Sequence, residues 1–184
     1  MSLTESYMLP LGTVAPEFKL PNTVDNKNYD LNKLIGKKGT LIVFMCNHCP
    51  YVIHLIDHFI QTASKYLHKE INTIAISSNS IKTHPQDGPE EMNKFALNKN
   101  FSFPYLYDES QEIAKKYNAA CTPDFYLFDK NLKLVYRGRY DDSRPGNDKI
   151  VSGKDLHDAI ENLLNNKEIN SQQYPSMGCN VKWH

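Results

Sequence analysis

Phe44-Met45-Cys46-Asn47-His48-Cys49-Pro50-Tyr51 is the stretch from which the rest of the chain is read. Two cysteines stand two residues apart, directly after the apolar, β-branched run Leu41-Ile42-Val43-Phe44. Behind them Val52, Leu55, Ile56, Phe59, Ile60 and Ala63 recur at three- and four-residue spacing, the buried stripe of an α-helix. Pro50 suits the first turn of that helix, where a missing N–H costs nothing. A Cys-x-x-Cys at a strand-to-helix junction within a βαβ pattern points to a dithiol redox centre; elsewhere the same spacing serves as half of a zinc site. Cys46 is expected at or just before the helix N-terminus, where unpaired N–H groups and the positive dipole end favour a thiolate. His48 adds a positive charge when protonated and a donor when neutral. We therefore expect Cys46 as the nucleophile and Cys49 as the resolving thiol. A metal-ligand pair and two inert cysteines are the alternatives.

The 184 residues suffice for one domain with a sizeable core. Charge is balanced, 21 basic against 21 acidic residues, which gives no electrostatic case for nucleic acid or an anionic membrane. Residues 1–20 lack a basic start followed by an apolar run, and no apolar stretch reaches membrane-spanning length. We expect a cytoplasmic protein without a signal peptide. Four cysteines are too few for a disulfide scaffold of this size.

Residues 1–17 read as an irregular lead-in. A short strand ending near Leu20, a turn at residues 25–28 and the return Tyr29-Asp30-Leu31 form an N-terminal hairpin. The central strand, about residues 40–45, and the long helix, about 49–67, lead to a strand at Ile71–Ser77, parallel to the first. A polar loop, 78–89, holds His84, Pro85, Asp87 and Gly88, and precedes a second helix starting at Pro89. Asp108 with Gln111 reads as the capping box of a third. Residues 124–129 and 132–136 form an antiparallel pair. Ser152 with Asp155 starts the last helix, and 167–184 form a C-terminal tail. With no repeat or linker, residues 1–184 read as a single domain.

Outside the dithiol, Thr122-Pro123 stands between a helix and a strand. A proline there is a candidate cis site that leaves a neighbouring backbone edge free to pair with an extended peptide. Cys121 reads as a buried small residue, with a third redox thiol or a thiolate metal ligand as alternatives. Cys179, in the tail, is a candidate second resolving thiol. His54 and His58 have ligand spacing but flank the apolar stripe, so we expect a solvated face. Arg137, Arg139, Asp141, Asp142 and Arg144 read as a salt-bridged loop. The absence of a second Cys-x-x-Cys removes the zinc-ribbon spacing.

Four segments together, Cys46-Asn-His-Cys-Pro-Tyr-Val52, Cys121-Thr-Pro-Asp-Phe125, Tyr136-Arg-Gly-Arg-Tyr-Asp-Asp-Ser-Arg-Pro145 and Gly178-Cys-Asn-Val-Lys-Trp183, resemble the AhpC/TSA branch of the thioredoxin fold, in its peroxiredoxin-like "thioredoxin family protein" group. The resemblance implies an α/β, thioredoxin-like fold: a central mixed β-sheet flanked by helices, here with an N-terminal hairpin extension. It also implies a cis-proline, Pro123, facing the dithiol. His48 matches the histidine of strongly oxidising relatives, which lowers the nucleophile's pKa. A thioredoxin usually has Trp before the dithiol, Gly-Pro inside it and a buried acid early in the central strand. Here Met45 precedes, Asn47-His48 intervene, and Thr40 and its neighbours supply no acid, so no general base is assigned. Against the peroxiredoxin pattern Pro-x-x-x-Thr-x-x-Cys, with Cys49 in the peroxidatic slot, Ile42 replaces the proline and Cys46 the threonine. Thr122-Pro123 stands in about the arginine's register.

We thus expect a thiol–disulfide oxidoreductase with Cys46, Cys49 and His48 at its centre and Thr122 and Pro123 at the docking edge. It would act on a protein or small-molecule disulfide and be recycled by an external thiol reductant, without a bound cofactor or metal. The rival functions are a peroxiredoxin-like thiol peroxidase and a non-catalytic metal-binding module using Cys46, His48 and Cys49.

Overall fold

The structure is a computed structural model that describes residues 3–184. Its centre is β4 (Gly39–Phe44), every residue of which is buried. A strand buried on both faces reads as a continuous apolar run, which is why residues 41–44 alternate in destination but not in polarity. Leu41 and Val43 enter one core and Ile42 and Phe44 the other.

Around β4 lies a five-stranded sheet of β6 (Tyr105–Tyr107), β5 (Ile71–Ser77), β4, β8 (Asp124–Asp129) and β9 (Leu134–Gly138), in that spatial order. β5 is parallel to β4 and β6 to β5, while β8 and β9 are antiparallel. One face packs against α1 (Pro50–Leu67), α2 (Pro89–Asn98) and α4 (Lys154–Leu164) through Val52, Phe59, Met92, Leu156 and Ile160. The other packs against α3 (Glu112–Lys116) and the N-terminal hairpin of β2 (Lys19–Pro21) and β3 (Asn28–Asp30), through Leu20, Leu31, Ile113 and Tyr117. This mixed sheet with helices on both faces is the thioredoxin-like architecture. Among the described residues no helix is long and apolar enough to cross a membrane.

Several expectations are corrected. The lead-in contains β1 (Leu3–Glu5), and the tail contains β10 (Met177–Asn180). With β7 (Cys121–Thr122) they form a second antiparallel sheet, ordered β1-β10-β7. The tail therefore folds back onto the body. Hydrogen bonds hold it on both sides of β10: Ser176 Oγ donates to Gly138 O (2.9 Å), Val181 N to Ala120 O (3.1 Å) and Lys182 N to Asn79 Oδ1 (2.9 Å).

Asp108 does not form the expected box with Gln111. Gln111 is itself the N-cap, in left-handed conformation, and the Asp108 carboxylate accepts the Ala114 N–H from outside the helix (2.9 Å). His54 and His58 do not line a solvated face either. They bond Ser143 Oγ (3.1 Å) and the Tyr140 hydroxyl (2.7 Å) in the segment after β9. Arg137 is not a surface-loop residue: it is fully buried and pairs with buried Asp124 (2.9 Å), its guanidinium 3.8 Å from the Tyr126 ring centroid. Charge runs read from sequence default to solvent because isolated charges are costly to bury, and a paired one escapes that rule.

Candidate active site

The dithiol lies where β4 turns into α1. The helix cap is Cys49, with extended backbone, Pro50 in the first turn, and its carbonyl accepting the Val52 and Ile53 N–H groups at 2.9 Å each. Cys46 thus lies three residues before the cap, just ahead of the helix. The favourable end of the helix dipole is closest to Cys49.

Facing both sulfurs is Thr122, whose peptide bond to Pro123 is cis. The Thr122 hydroxyl is 3.6 Å from Cys46 Sγ, and its carbonyl oxygen 3.1 Å from Cys49 Sγ. Both cysteines are buried and free. Each sets the other's acidity. The hydrogen bond from the Cys46 thiol holds Cys49 well below the usual thiol range, against the effect of burial, and Thr122, the Cys179 thiol and the Val52 amide add to it. That same bond, then burial, then the negative charge of Asp87, push Cys46 well up. The Thr122 carbonyl suits a thiol on Cys49 and opposes a thiolate. We place the charge on Cys49 all the same, because several donors converge there while a carboxylate faces Cys46.

Asp87 is the residue that sequence reasoning left unconnected. It lies in the polar loop, fully buried, where its Oδ1 accepts the Asn47 backbone N–H (2.9 Å) and its Oδ2 the Asn79 amide (2.9 Å). His48 Nδ1 approaches Oδ2 at 2.7 Å, but without hydrogen-bond angles, so neither ring nitrogen is committed as donor or acceptor. The His48 ring stacks on His84, centroids 5.0 Å apart. The only sequence signal for Asp87 was an acid and a histidine in a loop long enough to reach the dithiol. Among the described residues, Cys46, His48 and Asp87 bring ligand atoms within 4.8 Å of one another and could hold a metal ion.

The remaining thiols separate cleanly. β10 pairs with β7 so that Cys179 faces Thr122 and Asn180 faces Cys121. Directly opposed residues of a pair point to the same side of the sheet, and successive residues to opposite sides. Cys179 therefore shares the dithiol side with Thr122. It is hydrogen-bonded to Cys49, and burial together with that partner pushes it up to about 12. Cys121 points the other way, its sulfur 3.9 Å from the carbonyls of Pro123 and Ser176, and burial pushes its pKa far up. The Thr122 edge, expected to be open to a substrate peptide, is filled by β10. Pro123 also lines a cleft of about 540 Å³, with Tyr51, Leu55, Arg139, Arg144 and Met177 among its other walls.

The sequence pattern of the AhpC/TSA family matches residues 11–137. No curated protein sequence matches. Among solved structures, the chain is similar to an uncharacterized conserved protein from Geobacillus kaustophilus, at 46% identity and a TM-score of 0.98, covering 100% of this chain and 97% of that one. It is also similar to a hypothetical protein from Sinorhizobium meliloti, at 38% identity and a TM-score of 0.96, covering 98% of each. A putative thiol:disulfide interchange protein DsbE from Chlorobium tepidum shares the fold at 20% identity and a TM-score of 0.64, over 85% of this chain and 99% of that one. Peroxidoxin BcpB from Mycobacterium tuberculosis shares it at 16% identity and a TM-score of 0.61, over 86% of this chain and 96% of that one.

Proposed function

The chain belongs to the AhpC/TSA family, and from that premise we propose that it is a thiol–disulfide oxidoreductase working through the Cys46–Cys49 dithiol. The observation that carries this reading is the placement of two free, buried cysteines at the β4–α1 junction, both against Thr122: its hydroxyl lies 3.6 Å from Cys46 Sγ and its carbonyl oxygen 3.1 Å from Cys49 Sγ.

In the reduced pair Cys49 is the thiolate and Cys46 the thiol. The Cys49 thiolate attacks a substrate disulfide, forming a mixed disulfide and releasing the first substrate thiolate. Capping Cys49 removes the largest cause of the high Cys46 pKa. The Cys46 proton then passes to His48, whose Nδ1 lies 2.7 Å from the Asp87 carboxylate. The Cys46 thiolate attacks Cys49 Sγ, the intramolecular disulfide closes, and the second substrate thiolate leaves with the proton from His48. An external thiol reductant reverses the sequence. Pro123 forms one wall of the adjoining cleft, which is the place for the substrate group next to the disulfide, from a protein or a small molecule. A reducing cytoplasm would supply the reductant.

Peroxidase chemistry is the second reading, favoured by the thiolate on Cys49, the position that matches a peroxidatic cysteine. Against it stands Arg137, buried on Asp124 instead of facing the sulfur. Dithiothreitol-coupled insulin reduction tests the first reading: Cys49→Ser should abolish turnover and Cys46→Ser should cut it severely. Full activity in either variant overturns it. Stopped-flow peroxide consumption tests the second, and should be no faster than for a free thiol.

A further inference from the structure

The backbone edge beside the cis-proline is occupied from within. β10 pairs with β7, and its register sets Cys179 directly opposite Thr122, with the Cys179 thiol hydrogen-bonded to Cys49. An extended segment that pairs with this edge and presents a cysteine to the dithiol is what a substrate peptide would have to be. The approach is close enough to exclude any side chain at the preceding position: a Cβ on Gly178 would lie 2.0 Å from the Thr122 carbonyl oxygen. Cys121, one residue from Thr122, faces the opposite side, so the placement of Cys179 is not shared by its neighbour.

We propose that Cys179 is a third catalytic cysteine, the built-in thiol partner of the dithiol, and that it forms a Cys49–Cys179 disulfide. The inference rests on the dithiol reading above and names its first partner. In the oxidised pair, Cys179 Sγ attacks Cys49 Sγ of the Cys46–Cys49 disulfide. That bond breaks, the Cys49–Cys179 bond forms, and Cys46 leaves as a thiolate that takes up the proton given by Cys179. One disulfide and one thiol enter and one of each leaves, so no oxidant or reductant is consumed. The exchange frees Cys46 and ties the tail to the cap of α1, giving the protein two oxidised forms.

The test uses full-length protein in an oxidised/reduced glutathione buffer, with alkylation and peptide mapping under non-reducing conditions. Cys46→Ser should form Cys49–Cys179 and not Cys49–Cys121, and Cys46→Ala should do the same with no polar group at the position. Adding Cys179→Ser to Cys46→Ser should lengthen the lifetime of the Cys49–glutathione adduct at least about tenfold, because an intramolecular thiol at high effective concentration has been removed. The inference is overturned if both Cys46 variants persist as the adduct while Cys179→Ser alone still closes Cys46–Cys49, a result that leaves the oxidoreductase reading standing. Absence of every disulfide from wild type and all variants overturns both.

Discussion

Cys46→Ala, set against Cys49→Ala, decides which sulfur carries the charge. In the reduced site the Cys46 thiol is the main donor to Cys49. A hydrogen bond to a charged group contributes about 1.5–3 kcal/mol. At 1.36 kcal/mol per pKa unit, losing it should raise the Cys49 pKa by about 1–2 units. Cys46→Ser keeps a donor and should stay closer to wild type. Ultraviolet thiolate absorbance against pH, backed by the pH dependence of alkylation, reads the shift. Cys121 and Cys179 do not interfere, because burial raises both. Cys49→Ala should abolish the low-pH titration. The assignment is refuted if that titration survives in Cys49→Ala and vanishes in Cys46→Ala.

The same shift has a thermodynamic sign. Cys49 has a folded pKa below its unfolded value near 8.5, so it contributes stability at high pH that is lost as pH falls through the folded pKa. Reduced wild type minus Cys49→Ser should therefore gain stability from pH 5 to 8. The difference is needed because Asp124 acts oppositely. Burial pushes its pKa up to about 7, so its contribution is lost as pH rises from about 4 to 7.

Further expectations concern other parts of the site. Arg137→Met should cost about 3–5 kcal/mol by denaturant unfolding, since it strands a fully buried carboxylate. The cost should be smaller at pH 5 than at pH 8, because Asp124 is neutral at the lower pH; equal costs would refute the pairing. His48→Ala should slow closure of the Cys46–Cys49 disulfide about a hundredfold or more, seen in rapid-quench alkylation, with Asp87→Asn slower in the same direction. Unchanged closure would remove His48 as proton acceptor. Gly178→Ala should lift β10 from β7 and speed alkylation of Cys49 and Cys179 but not Cys121. Zinc added to reduced protein, if held by Cys46, His48 and Asp87, should slow alkylation of Cys46 and lose affinity in Asp87→Asn.

The central strand, the long helix and the stripe from Val52 to Ala63 were legible because a continuous apolar run and a 3.6-residue period are local signals. The dithiol was legible for the same reason, its two cysteines being neighbours in sequence. The start of the helix was legible from Pro50, but which sulfur is the stronger acid was not, because that depends on Thr122, Cys179 and Asp87, all distant in sequence. Asp87 was named but not joined to the dithiol, since its contact with Asn47 spans 40 residues of chain, and Cys179 was offered as a resolving thiol without the fold that brings it there. Register alone brings Cys179 across from Thr122, and nothing in a four-residue strand beginning Met-Gly announces that pairing. Arg137 was taken for a surface charge because its partner, Asp124, lies on the neighbouring strand.

The measurement that bears most directly on the dithiol is its reduction potential, from equilibration in glutathione or dithiothreitol buffers read by alkylation and mass spectrometry. We expect a two-electron couple in which Cys46 and Cys49 are lost to alkylation together, apart from the fraction in which Cys179 has replaced Cys46, with a potential that sets it as reductant or oxidant against its compartment. A protein in which no disulfide joins Cys46 and Cys49 at any potential would contradict the oxidoreductase reading.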